Sequence, residues 1–142
     1  DAPDLSGVTD LSRMFFHAIS MNDDISGWNV GSVLNMSGMF RDAESFNQPL
    51  DSWSVDGVTN MSEMFYFASA FNQDLNNWQV DNVTNMDSMF GGALAFNGDV
   101  STWHVDNVTN FSGMFSVAEA FNGDISGWQY IGIASMLRCP NA

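Results

Sequence analysis

The sequence predicts an α/β solenoid, a single domain over residues 1–142 made of about five and a half stacked 25-residue coils. Each coil is expected to hold a short parallel β-strand and a short helix, with a plain β-solenoid as the alternative. Three observations predict this. Trp28, Trp53, Trp78, Trp103 and Trp128 are the only tryptophans, each 25 residues from the next. Met14-Phe15, Met39-Phe40, Met64-Phe65, Met89-Phe90 and Met114-Phe115 keep the same step, as do Phe46, Phe71, Phe96 and Phe121, with Met21 one period earlier. Met36, Met61, Met86 and Met136 form a further column, with Leu11 and Phe111 substituting, and no insertion breaks the register.

The coil from Leu50 to Phe71 shows how each element is read. Trp53 and Val55 lie two apart, which suits one face of a short strand. Gly57, like Asn82 and Asn107 in later coils, is a turn former. Met61, Met64, Phe65 and Ala68 then fall at i, i+3, i+4 and i+7, the stripe of a short helix, with Asn60 or Ser62 as its cap. About seven residues are too few to be helical alone, so neighbouring coils must hold them. Stacking would bury strand face and helix stripe together, with the Trp, Met and Phe columns inward; methionine fills gaps beside aromatic rings.

Composition excludes several functions. The 142 residues include 17 acidic residues against 3 arginines and no lysine, for a net charge of -14. Such a surface cannot displace phosphate counterions, so no nucleic-acid partner is expected. Adsorption to anionic membrane and direct membrane insertion are disfavoured, since no window approaches an apolar span. Asp1-Ala2-Pro3-Asp4 lacks the basic and apolar regions of a signal peptide. Cys139 is the sole cysteine, so an internal disulfide or a cysteine-based zinc site is not expected.

The unit Val58-Thr59-Asn60-Met61-Ser62-Glu63-Met64-Phe65, continuing through Ala68, Phe71-Asn72-Gln73-Asp74-Leu75 and Trp78 to Val80, resembles the bacterial surface protein 25/26-residue repeat. That repeat is associated with mycoplasma lipoproteins and with BspA-like surface proteins. The likeness runs from Val8 to Met136. It implies a leucine-rich-repeat-like stack, with Leu50-x-x-Trp53-x-Val55 resembling the L-x-x-L-x-L strand, although tryptophan stands for the second leucine in every copy. It also implies an extracellular or cell-surface location, a role in adhesion or protein binding, and that the domain is a fragment of a longer surface protein.

The outward positions of the expected strands are the candidate ligand-binding face: Asp51, Ser52 and Ser54; Asn76, Asn77 and Gln79; Ser101, Thr102 and His104. The column Asn22, Asn47, Asn72, Asn97 and Asn122 is expected to bond backbone of the next coil. Asp74, Asp99 and Asp124 share another column. No metal or other cofactor is expected; calcium held by these three aspartates is the alternative. His17 and His104 lie in different columns, and no nucleophile–base–orienter set can be assembled, so the chain is not expected to be an enzyme. Cys139 falls in the Met114 column and is expected to mark a broken-off helix.

The function expected is therefore a non-catalytic extracellular interaction or adhesion module. Its partner would be a protein or glycan of a host or neighbouring cell, and exposed apolar ends would favour end-to-end self-association. The alternative is a structural spacer of a surface protein without a specific ligand.

Overall fold

The computed structural model of the chain describes residues 1–128. Met136 and Cys139, to which the sequence reading gave places in the pattern, lie outside the described residues.

The expected architecture does not form. Among the described residues there is no helix and no extended strand; the backbone is turns and irregular coil. The β-structure consists of isolated parallel bridges, Asp10 with Asn35, Asn35 with Asn60, Asn60 with Asn85, and Asn85 with Asn110. The α/β solenoid of strand-plus-helix coils, the plain β-solenoid, and the repeat-protein and leucine-rich-repeat-like descriptions therefore do not hold.

The reason the helix fails is visible in residues 60–68. Glu63 and Phe67 have φ of 56° and 55°, in the left-handed region that no α-helix admits. Met61, Glu63, Phe65 and Phe67 donate their N–H groups to the carbonyls of Asn85, Asp87, Met89 and Gly91, each 24 residues ahead, at 2.8–3.0 Å. The intervening amides of Met64, Tyr66 and Ala68 close turns onto residues three back, the carbonyls of Met61, Glu63 and Phe65. Alternate amides thus serve a distant segment and a local turn, and no i→i−4 ladder is left. The same alternation covers Leu11 to Ala18, Met36 to Ala43 and Met86 to Ala93.

The strand fails for a different reason. Trp53 N bonds back to Leu50 O and Val58 N to Val55 O, so the chain around Trp53 and Val55 bends rather than extends. The indole supplies the cross-link that a strand amide would have made. Trp53 Nε1 donates to Ile25 O at 3.1 Å, Trp78 to Leu50 O at 2.8 Å, Trp103 to Leu75 O at 2.9 Å and Trp128 to Val100 O at 3.1 Å. These are buried bonds, and the donor would be costly to leave unpaired there.

The core lies between these two stretches. Met61, Met64, Phe65, Ala68 and Phe71 are fully buried, and Trp78 and Trp103 nearly so. Among the described residues no polar or charged residue is buried. The Phe15, Phe40, Phe65, Phe90 and Phe115 rings follow one another at 5.4–5.7 Å, nearly parallel. Trp78, Trp103 and Trp128 stack at 6.3 and 6.0 Å. Offset-stacked rings of this kind add to the burial of their area.

One glycine is required by close approach. A Cβ at Gly98 would overlap the carbonyl oxygen of Gln73, beside the bond from Leu75 N to Asp99 O at 3.0 Å. Gly27 has nothing within 4 Å of its Cβ position. Gly98→Ala should therefore cost roughly 1–3 kcal/mol by overpacking, while Gly27→Ala should stay within about 0.5 kcal/mol of the parent, both read from urea melts. Trp78→Ala should lose about 3–5 kcal/mol in the same assay, through the cavity left behind.

Candidate functional site

The polar face expected from the sequence is exposed, but the fold already employs much of it. Ser52 Oγ donates to Ser26 O at 3.1 Å. Asp51 accepts both the backbone N–H and the side-chain amide of Asn77, at 2.9 and 2.7 Å. Thr102 Oγ1 donates to Asn76 O at 2.6 Å, and Ser101 bonds Asp99 through its amide and its hydroxyl. Ser54 and Gln79 are exposed. His104 Nδ1 lies 3.7 Å from Asp81 Oδ1, where the two line a shallow groove of about 250 Å³ with Asp106 and Asn107.

The asparagine columns act on backbone. Asn22, Asn47, Asn72 and Asn97 Oδ1 accept the amides of Asn47, Asn72, Asn97 and Asn122, at 2.8–2.9 Å. Asn35, Asn60, Asn85 and Asn110 accept the amide two residues on, at 2.9–3.0 Å, so they cap turns rather than helices.

The aspartate column behaves in the same way. Asp74 Oδ1 accepts Asp99 N, Asp99 Oδ1 accepts Ser101 N, and Asp124 Oδ1 accepts Ser126 N, each at 2.9 Å. The hydroxyls of Ser101 and Ser126, then their amides, hold the Asp99 and Asp124 carboxyls below the usual carboxylate range. Among the described residues, no three His, Cys, Asp or Glu side chains converge as a metal site.

A different surface gathers side chains that the sequence reading passed over. Arg41 lies over the Tyr66 ring at 4.9 Å and near the Phe16 ring at 5.8 Å, with Arg13 on Phe16 at 5.6 Å. Tyr66 meets Phe67 edge-on at 4.7 Å. The Arg41 guanidinium is hydrogen-bonded to Glu63, and its Nε lies 3.7 Å from Asp42 Oδ2. His17 Nδ1 is 3.6 Å from the same carboxylate oxygen. Beyond this cluster Gly91 and Gly92 leave room for the Tyr66 and Phe67 rings, which come within 3.1 Å or less of where their Cβ atoms would stand. A signal for the site was available in the register: the column Phe16, Arg41, Tyr66, Gly91, Ser116 changes residue in every period, and so does His17, Asp42, Phe67, Gly92, Val117. Such variation on an otherwise constant frame marks where the segments differ in surface.

The cluster is an Arg–aromatic surface patch without a nucleophile–base pair. It defines a candidate contact surface. A family profile described as Mycoplasma protein of unknown function, DUF285, matches residues 1–93 and 57–139, and the chain belongs to that family. No curated protein and no solved structure matches it. The assignment to BspA-like, lipoprotein-associated surface repeats is thereby corrected: the family matched is one of unknown function, and among the described residues the helix–strand units of a leucine-rich-like stack are absent.

Asp87 borders this surface and is out of keeping with its column, where Ser12, Ser37, Ser62 and Ser112 stand. Burial, then the charge of Glu63, pushes its carboxyl above its ordinary value. The folded state therefore holds the Asp87 proton more tightly than the unfolded chain, and stability falls as pH rises above that value. Asp87→Ser should raise stability by about 0.5 kcal/mol at pH 7. The gain should shrink toward zero as the pH is lowered to the unfolded carboxyl range, which thermal melts at a series of pH values would follow.

Proposed function

We propose that this protein is a non-catalytic interaction module that binds a protein partner through the surface formed by Phe16, Arg41, Tyr66 and Phe67. The observation that carries the reading is the alternation of guanidinium and ring along that surface. Arg13 and Arg41, the arginines among the described residues, both lie on it in a chain of net charge -14. Arginine and tyrosine dominate the energetic centres of protein interfaces, because both bury large area with a polar tip still able to bond. Phe16 and Phe67 are exposed, which is costly for isolated rings and useful in a contact surface.

The polar face around Ser54, Gln79 and His104 is the weaker candidate, since its neighbours Asp51, Ser52, Asn77, Ser101 and Thr102 already satisfy one another and the backbone. An extracellular or cell-surface setting accords with the acidic composition and remains part of the proposal. The test is binding of the purified chain to a panel of extracellular proteins and to a glycan array. Saturable protein binding should weaken roughly tenfold or more on Tyr66→Ala or Arg41→Ala, and remain within twofold on Gln79→Ala. A folded protein that binds nothing would favour a structural spacer. Binding lost on Gln79→Ala but kept on Tyr66→Ala would move the site to the polar face.

A further inference from the structure

Exposed apolar side chains are not scattered over the molecule. Among the described residues seven large ones are exposed, and five of them, Phe16, Ile19, Phe67, Leu94 and Val117, fall in three neighbouring columns. Single exposed apolar residues are ordinary; a run of them on one side is not. From Phe67 to Val117 the run is continuous. The Phe67 ring lies across Gly92, within 2.8 Å of where a Cβ would stand. Gly92 N donates to Ser116 O at 2.7 Å, which brings Val117 of the next segment beside it. Leu94 stands two residues beyond Gly92; its carbonyl accepts Ala120 N, and Ser69 O accepts Ala95 N, both at 3.2 Å. Phe67, Leu94 and Val117 are 42%, 40% and 46% exposed, one in each of three successive segments. Carboxylates bound this stripe. Glu44 and Glu119, in the column of Leu94, are exposed and enter no ion pair among the described residues.

The spacing along the stripe specifies what fits it. Phe65, Phe90 and Phe115 mark the step from one segment to the next, 5.5 and 5.7 Å between ring centroids. An α-helix advances about 5.4 Å per turn. Apolar side chains at i, i+4 and i+7 of a helix laid across the segments therefore keep pace with Phe67, Leu94 and Val117. A β-strand presents one face every ~6.7 Å and falls out of step by about 2 Å over the same distance. The carboxylates add a sign: Glu44 and Glu119 attract lysine or arginine beside the apolar face and repel an acidic helix. We infer that the Phe67–Leu94–Val117 stripe is a docking site for a cationic amphipathic α-helix of a partner protein, lying across the segments with one apolar side chain per turn against it. The inference rests on the contact surface proposed above, which it extends from Phe67 to Leu94 and Val117 and to which it assigns a partner chemistry.

The test uses the full chain and a synthetic peptide of about five helical turns, with leucine at i, i+4 and i+7 along one face, lysine flanking it and alanine elsewhere. Titration should be saturable, circular dichroism should show the peptide becoming helical on binding, and backbone amide shifts should centre on residues 67, 92–94 and 117–119. Leu94→Ser or Val117→Ser should weaken binding roughly tenfold or more, with the thermal midpoint retained because both side chains are exposed. Glu119→Gln should weaken it severalfold and lower its dependence on salt. A peptide of the same composition with leucine and lysine alternating should bind roughly tenfold more weakly or worse. Equal binding by the alternating peptide, no loss on Leu94→Ser, or shifts centred on Asp56, Asp81 and Asp106 would each overturn the inference, the last by showing charge attraction alone. No saturation at millimolar peptide would overturn it as well, and would leave the contact surface itself to stand or fall by Tyr66-dependent binding of a whole protein.

Discussion

The amides of Met61, Glu63, Phe65 and Phe67, and of their counterparts in the neighbouring segments, all project toward the same side, and the rest of the molecule depends on that arrangement. Projecting alternate amides one way requires residues with positive φ between right-handed ones. Among the described residues seven of these are not glycine: Arg13, His17, Asp42, Glu63, Phe67, Ser88 and Val117. L-residues adopt this conformation at a cost. Here the cost is offset because Arg13, His17, Asp42, Glu63, Phe67 and Ser88 each donate to a neighbouring segment, and because the same turns drive Met64, Phe65 and Ala68 into the core.

The core in turn explains why the cross-links lie where they do. The tryptophan indoles span 28 residues to reach carbonyls that already close a turn with the amide three residues on, so each of these oxygens accepts two hydrogen bonds. The asparagine side chains close the corner 25 residues on. Large apolar columns and small polar columns therefore do one job together: the first exclude water, and the second supply the donors and acceptors that irregular backbone lacks once water is excluded. A polar face that looks available for a ligand is in large part occupied by this work.

What is left for recognition is the part of the surface that the frame does not need. In the columns of Phe16, Arg41, Tyr66 and Phe67 the bonds that repeat are made by the backbone and not by the side chains, so residue type there is free to vary. The period in the sequence was legible, and it located the buried tryptophans, methionines and phenylalanines. The contact surface was less so, because a search for shared columns draws attention to what recurs and away from what changes. Family membership adds no activity to this picture, since the family is itself one of unknown function.

The sequence by itself determined the 25-residue period, the identity of the core residues and the acidic character of the chain, because burial and charge follow from side-chain chemistry and its spacing. It did not determine the backbone path. Met61, Met64, Phe65 and Ala68 satisfy helical spacing, yet the same spacing is met by successive three-residue turns that put the same side chains inward. Trp53 and Val55 satisfy strand spacing, yet they lie on a bend. The choice was made by tertiary contacts: in a helix the amides of Glu63 and Phe67 would turn inward along the chain, and only pairing with the segment 24 residues ahead gives them acceptors where they are found. Hydrogen bonds between distant segments cannot be read from the local pattern of apolar residues, and here they decided the fold.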